Sequence, residues 1–236
     1  MAADPRVAQG QVAVERIDEG LRSYMLSVYN YMGLALIISG LVAYIVGTTP
    51  ALYQPILGSP LKWVVMLAPL GFVFFLSAKI QSMSLSTAQM TFWAFAALMG
   101  LSLSSVFVVF TGTSVARVFF ITAAAFGSLS LYGYTTKRDL SGMGSFLFMG
   151  LIGVIIASVV NLFLASSALH FAISVIGVLV FAGLTAYDTQ QIKEMYYELD
   201  NSDVMGRKAI MGALRLYLDF INMFMFLMHF FGGSNE

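Results

Sequence analysis

The chain has 236 residues, of which 59% are hydrophobic and 10% charged, and its twelve basic and twelve acidic side chains give a formal net charge of +0. That much apolar surface exceeds what a soluble core of this length can bury, so the chain reads as an all-α polytopic membrane protein with the lipid bilayer as its first partner. Neutrality gives nucleic-acid binding no electrostatic support, and the absence of cysteine excludes disulfides, thiolate metal sites and thiol nucleophiles.

Residues 1–22 are polar and mixed in charge, without the short apolar core and small-residue cleavage site of a signal peptide. They read as a cytoplasmic N-terminal arm, mobile at first and then, in VAVERIDEGLR, patterned for a short surface helix. Residues 23–236 read as one transmembrane domain. Its first span is Tyr24 to Val46, closed by Gly47-Thr-Thr-Pro50. A connector with Pro55, Gly58 and Pro60 leads to a second span, Leu61 to Ala78, with Lys79 at its end.

Thr91 to Phe110 and Val115 to Tyr134 are the third and fourth spans, Phe146 to Leu164 the fifth, and Leu169 to Tyr187 or a little beyond the sixth. Each has about the ~20 residues that cross a ~30 Å hydrocarbon layer. The seventh, Ile210 to Phe231, is interrupted by Arg215, Asp219, Asn222 and His229, and either spans or dips in and returns. Its length and the Gly232-Gly233 stop favour spanning.

Seven spans put ten of the twelve basic residues on one side, leaving only Lys62 and Arg117 on the other. The positive-inside rule then places the N-terminus in the cytoplasm and the C-terminus outside. Small residues such as Gly33, Gly40, Gly100, Gly150 and Gly153 read as points of close helix approach, and Asn161 as a donor or acceptor between helices. The four methionines of the last span read as packing.

Two acids, Asp188 and Asp219, fall inside spans. A carboxylate there costs roughly 2.5–3.5 kcal/mol even on the mildest scale, which makes both functional candidates. Asp188 precedes Lys193 by five residues and Asp219 follows Arg215 by four, about 7.5 and 6 Å of helix. If both cations reach the cytoplasmic interface, the carboxylates lie at similar depth on neighbouring helices and can share a proton. Thr185 and Gln191 flank Asp188, and Asn222 and Arg215 flank Asp219, at spacings of three and four. This set offers a weak cation interaction at Asp188 and Asp219, with water completing the shell. A purely structural alternative pairs Asp219 with Arg215 and leaves Asp188 at the wet interface.

No enzyme class fits well. The second aspartate lies in LYLD, not the glycine-flanked sequence of intramembrane aspartyl proteases, and the seventh span has no lysine for a retinal Schiff base. His170 and His229 read as interfacial, distant from each other and without metal-ligand partners.

Four stretches, MGLSLSSVFVVFTGTSVARVFF, LYGYTTKRDLSGMGSFL, FAGLTAYDTQQIK and GALRLYLDFINMF, resemble the Bax inhibitor family, the transmembrane Bax inhibitor motif proteins, and within it the bacterial YccA-like branch. The resemblance implies seven transmembrane helices with the second enclosed by the others, which would leave a three-plus-three arrangement around it. It implies a bacterial inner (plasma) membrane location and a pH-sensitive calcium leak, with calcium as transported ion and no cofactor. The family's aspartate pair on the last two helices, its pH sensor and gate, matches Asp188 and Asp219. A basic residue on the second helix that latches the pair corresponds to Lys79. The YccA-like branch further implies a regulator of a membrane-anchored AAA protease as the alternative function.

Overall fold

In the computed structural model, residues 5–233 are described, with side chains from residue 19 onward. Helix α1 is Pro5–Thr48, α2 Pro50–Leu57, α3 Leu61–Lys79, α4 Leu85–Val109, α5 Gly112–Thr135, α6 Ser141–Leu164, α7 Ser167–Glu194 and α8 Ser202–Phe231. Seven of them, all but the short α2, are long and apolar enough to cross a membrane. The expected arm and the first span are therefore one helix from Pro5, and the boundary near residue 22 falls inside it. Residues 1–4 lie outside the described residues.

Local chemistry explains where these helices begin. Ser84, Thr111, Ser166 and Asn201 each accept a hydrogen bond from the backbone N–H three residues on, capping α4, α5, α7 and α8. Before α6, the Asp139 carboxylate accepts from the Ser141 N–H at 2.8 Å, and this contact holds it below the usual carboxylate range. Ala165, in the left-handed region at φ 48°, reverses the chain between α6 and α7. There Asn161 accepts from the Ser166 N–H at 3.1 Å, so it closes a turn and does not bridge two helices.

Helices α3, α4 and α1 form one layer, α6, α7 and α5 a second, and α8 lies between them against α1, α4, α5 and α7. The three-plus-three arrangement thus surrounds the last helix. Enclosure of the second span is corrected by burial: 67% of the apolar window of α8 is buried, against 17% for α3. The reason is chemical. Helix α3 is apolar all round and exposes Trp63, Val64, Leu67, Phe74 and Phe75, a surface suited to lipid. Helix α8 carries Tyr217 and Asp219, both buried, which lipid would not tolerate. It runs unbroken for 30 residues, which settles spanning over re-entry.

Two hydroxyl chains tie the layers together. Ser39 Oγ donates to the Ala96 carbonyl at 2.7 Å, so the Tyr217 hydroxyl, 2.6 Å away, must donate to Ser39; α8, α1 and α4 are joined. Thr189 Oγ1 donates to the Thr185 carbonyl, so Ser130 donates to Thr189 at 2.9 Å and Tyr29 to Ser130 at 2.7 Å, joining α7, α5 and α1. The glycine expectation holds only in part. A Cβ on Gly100 would meet the Ser39 carbonyl oxygen at 2.5 Å, and one on Gly150 a Val180 methyl at 3.0 Å, but Gly33, Gly40 and Gly153 face nothing within 4 Å.

Candidate functional site

The antiparallel run of α7 and α8 brings Asp188 and Asp219 together. Their carboxyl groups are within hydrogen-bonding reach, and the Arg215 guanidinium is close enough to act on both charges. Asp219 is 4% exposed, and its Oδ2 has no hydrogen-bond partner among the described residues. Two ionised carboxylates are both acceptors, so this contact is satisfied only when a proton or a cation sits between them.

The pair lies on the wall of a cavity of about 1100 Å³ bounded by α3, α6, α7 and α8. Arg215 and Asn222 share the lining with the aspartates. The Asn222 amide N–H donates to the Leu218 carbonyl at 2.8 Å, which leaves its side-chain oxygen free to face a cation. Thr185 and Gln191 do not line the cavity. The Thr185 hydroxyl, fully buried, donates to the Phe181 carbonyl, and Gln191 donates to Glu194. A step of three residues turns a side chain about 60° from its neighbour, one to each side of Asp188, and both angles miss the cavity. Lys79 is exposed at the end of α3 and also lies outside the lining.

The opposite wall, which sequence reasoning missed, comes from α6. Gly144, Phe148, Leu151, Ile155 and Ser158 follow each other at steps of four and three and form one helical face on the cavity. Only that periodicity marks them in the sequence. Gly144 lets α6 approach Tyr187 closely, since a Cβ there would lie 2.5 Å from the tyrosine ring and require it to shift. Among the described residues no group of three or more His, Asp or Glu side chains could hold a metal ion, so a divalent cation at the pair would keep most of its water.

The histidines require a correction. His170 and His229 are in contact, ring centroids 4.6 Å apart and edge to face, at the other end of the α7–α8 pair. They were expected to be distant, but His170 opens α7 and His229 closes α8, and antiparallel neighbours bring those ends together.

Six spans packed around a seventh, with the acid of that central helix meeting a second acid from α7 on a cavity wall, define a polytopic membrane protein whose embedded acids lie on its last two helices. The chain belongs to the Bax inhibitor family: residues 21–236 match the family described as inhibitor of apoptosis-promoting Bax1. It is 52% identical over 219 residues to an uncharacterized protein of Rickettsia prowazekii, with 93% of each chain covered. It is 46% identical over 217 residues to the inner membrane protein YbhL of Escherichia coli K12, covering 91% of this chain and 93% of that one. A Caulobacter vibrioides protein is 47% identical over 230 residues, covering 93% and 92%.

Proposed function

We propose that this protein is a pH-sensitive cation leak of the bacterial inner membrane, with calcium the preferred ion and the Asp188–Asp219 pair as its gate. The observation that carries this reading is the buried, unpartnered Oδ2 of Asp219 beside a second carboxyl group on a cavity wall. Such a pair is satisfied by one shared proton. Loss of that proton leaves two like charges in contact, which repel each other and attract a divalent cation. Proton and cation compete for the same oxygens, so flux depends on pH. With two carboxylates, the Asn222 oxygen and water as ligands, binding stays weak enough for transit.

Calcium-dye flux into proteoliposomes holding only this protein, measured across a pH series, tests the reading. A pH-dependent flux, absent from protein-free vesicles, is expected; none at any pH overturns it. A role as modulator of a membrane-anchored AAA protease is separable. Deletion of residues 1–20 leaves flux intact and removes partner control if that segment is the contact.

A further inference from the structure

Helices α1 and α5 both lie on α8 without packing along one another, and the Tyr29–Ser130 hydrogen bond bridges them. The cleft between them holds two chambers. One, of about 440 Å³, lies toward the outer ends of the helices and is lined by Gly40 and Gly112; the other, of about 730 Å³, lies toward the cytoplasmic ends and is lined by Gly33 and Gly127. A Cβ on any of these four glycines would meet nothing within 4 Å. They widen a cleft, in contrast to Gly100 and Gly133, whose added Cβ would strike a backbone oxygen of the neighbouring helix at 2.5 and 2.2 Å.

The two chambers differ in charge. The inner one opens at Arg22, and its other lip is Tyr134, whose ring lies 5.3 Å below the Lys193 ammonium. Neither cation has an acidic partner among the described residues, where the only ion pair joins Lys208 and Asp200. The outer chamber has no charged lining. From Arg22 to Gly33 the inner chamber follows eleven residues of helix, about 16 Å. One leaflet's share of a ~30 Å hydrocarbon layer is about 15 Å. An apolar trough one leaflet long, with two cations at its interfacial mouth, has the form of a phospholipid.

We propose that the inner α1–α5 chamber binds an anionic phospholipid of the cytoplasmic leaflet, its phosphate at Arg22 and Lys193 and one acyl chain along Met25, Met32, Gly33 and Gly127. A second copy of the chain fits less well. A two-fold axis along the membrane normal would set the cationic mouths of two copies against each other, like charge on like. The neutral outer chamber holds lipid tails without regard to headgroup.

The test uses the full-length protein, exposed to equal amounts of phosphatidylglycerol and phosphatidylcholine of matched chain length, with retained lipid counted by native mass spectrometry. The wild type retains phosphatidylglycerol in excess. Arg22→Gln lowers the ratio about fivefold, what one cation near an anionic surface contributes. The double variant Gly33→Leu, Gly127→Leu loses the retained lipid while its melting curve by circular dichroism stays at or above that of the wild type, because open space receives the new side chains. Equal retention of both lipids by the wild type, or an unchanged ratio in Arg22→Gln, overturns the proposal. So does a wild-type dimer that the leucine variant converts to monomer with no change in lipid, which would make the cleft a self-association face. No readout depends on ion flux, so the result stands apart from the proposed leak.

Discussion

In the proposed leak the chemistry turns on Asp219, the one carboxylate among the described residues that is both buried and left with an oxygen lacking a donor. If it shares a proton with Asp188, Asp188→Asn and Asp219→Asn each abolish the steep pH dependence of flux, since an amide neither binds that proton nor carries the repelling charge. The double variant adds little. Independent sites would instead give effects on gating free energy that sum, so additive midpoint shifts, read at equal protein density, count against a coupled gate. Arg215 acts on both charges while Lys79 lies off the cavity. Arg215→Gln should therefore displace the pH midpoint, and Lys79→Gln should leave it within error.

A control at the same scale is Asp139, which is exposed and whose carboxylate is held low by Ser141. A group depressed in the folded state lends its stability above its ordinary range, near 4, and loses it as pH falls through the lowered value. Any contribution of Asp139 to an acid response thus appears only well below neutrality, and Asp139→Asn leaves the midpoint of the proposed flux unchanged.

Tyr217 offers a measurement free of transport. Its hydroxyl must donate to Ser39, whose own proton is committed to the Ala96 carbonyl. Tyr217→Phe removes that donor inside the bundle, where side-chain hydrogen bonds between membrane helices contribute about 0.6 kcal/mol on average and about 1.7 at most. A loss of that order in unfolding free energy in detergent is expected. No loss at all would mean that the Ser39 contact holds α8 to α1 and α4 by shape alone.

At the scale of elements, the glycines separate two uses of one residue type. Gly100→Ala places a Cβ 2.5 Å from the Ser39 carbonyl oxygen, backbone against backbone, and forces α1 from α4. Such overpacking costs about 1–3 kcal/mol. Gly33→Ala meets nothing within 4 Å and gains the helix propensity of alanine, about 1 kcal/mol at most. The two substitutions should shift thermal stability in opposite directions, and a common sign would refute the division between packing and cleft-forming glycines.

The same division shows what hydropathy can convey. Apolar runs located all seven spans, but α4 and α8 begin at Leu85 and Ser202, before the expected Thr91 and Ile210. Their first turns are polar, and the signal there is the capping side chain of Ser84 or Asn201. The aspartates were legible because an acid in a span is rare whatever surrounds it. The neighbours that join them were not, because a spacing of three leaves a choice of faces that only the packed helices resolve. Enclosure of a helix was misjudged for a related reason: average hydropathy does not distinguish lipid from protein as the apolar partner, and the buried Tyr217 and Asp219 of α8 do.

For the molecule as a whole, the antiparallel run of α7 and α8 fixes the end of the bundle at which the acid pair lies. Asp188 lies six residues before the end of α7 at Glu194, about 9 Å along the helix, beside the connector where Lys193, Arg207 and Lys208 gather. These cations are also tied into the fold: Lys193 donates to the Tyr134 carbonyl, Arg207 to that of Met83 and Lys208 to that of Met195. These contacts hold the α7–α8 connector and the start of α8 against the end of α5 and the segment before α4, at one end of the bundle. Under the proposed leak, an N-in arrangement makes the acid pair a reader of cytoplasmic pH and puts the His170–His229 contact on the outer face. With seven spans the two ends lie on opposite sides. A reporter enzyme active only outside the cytoplasm, fused after Glu236, should be active, and one active only inside should be silent there and active at the N-terminus. Clamping pH on one side at a time, in proteoliposomes of known orientation, should then move flux only from the side of the α7–α8 connector. A C-terminal reporter active inside the cell together with an inactive N-terminal one would invert the molecule and make the aspartate pair a sensor of the outer compartment.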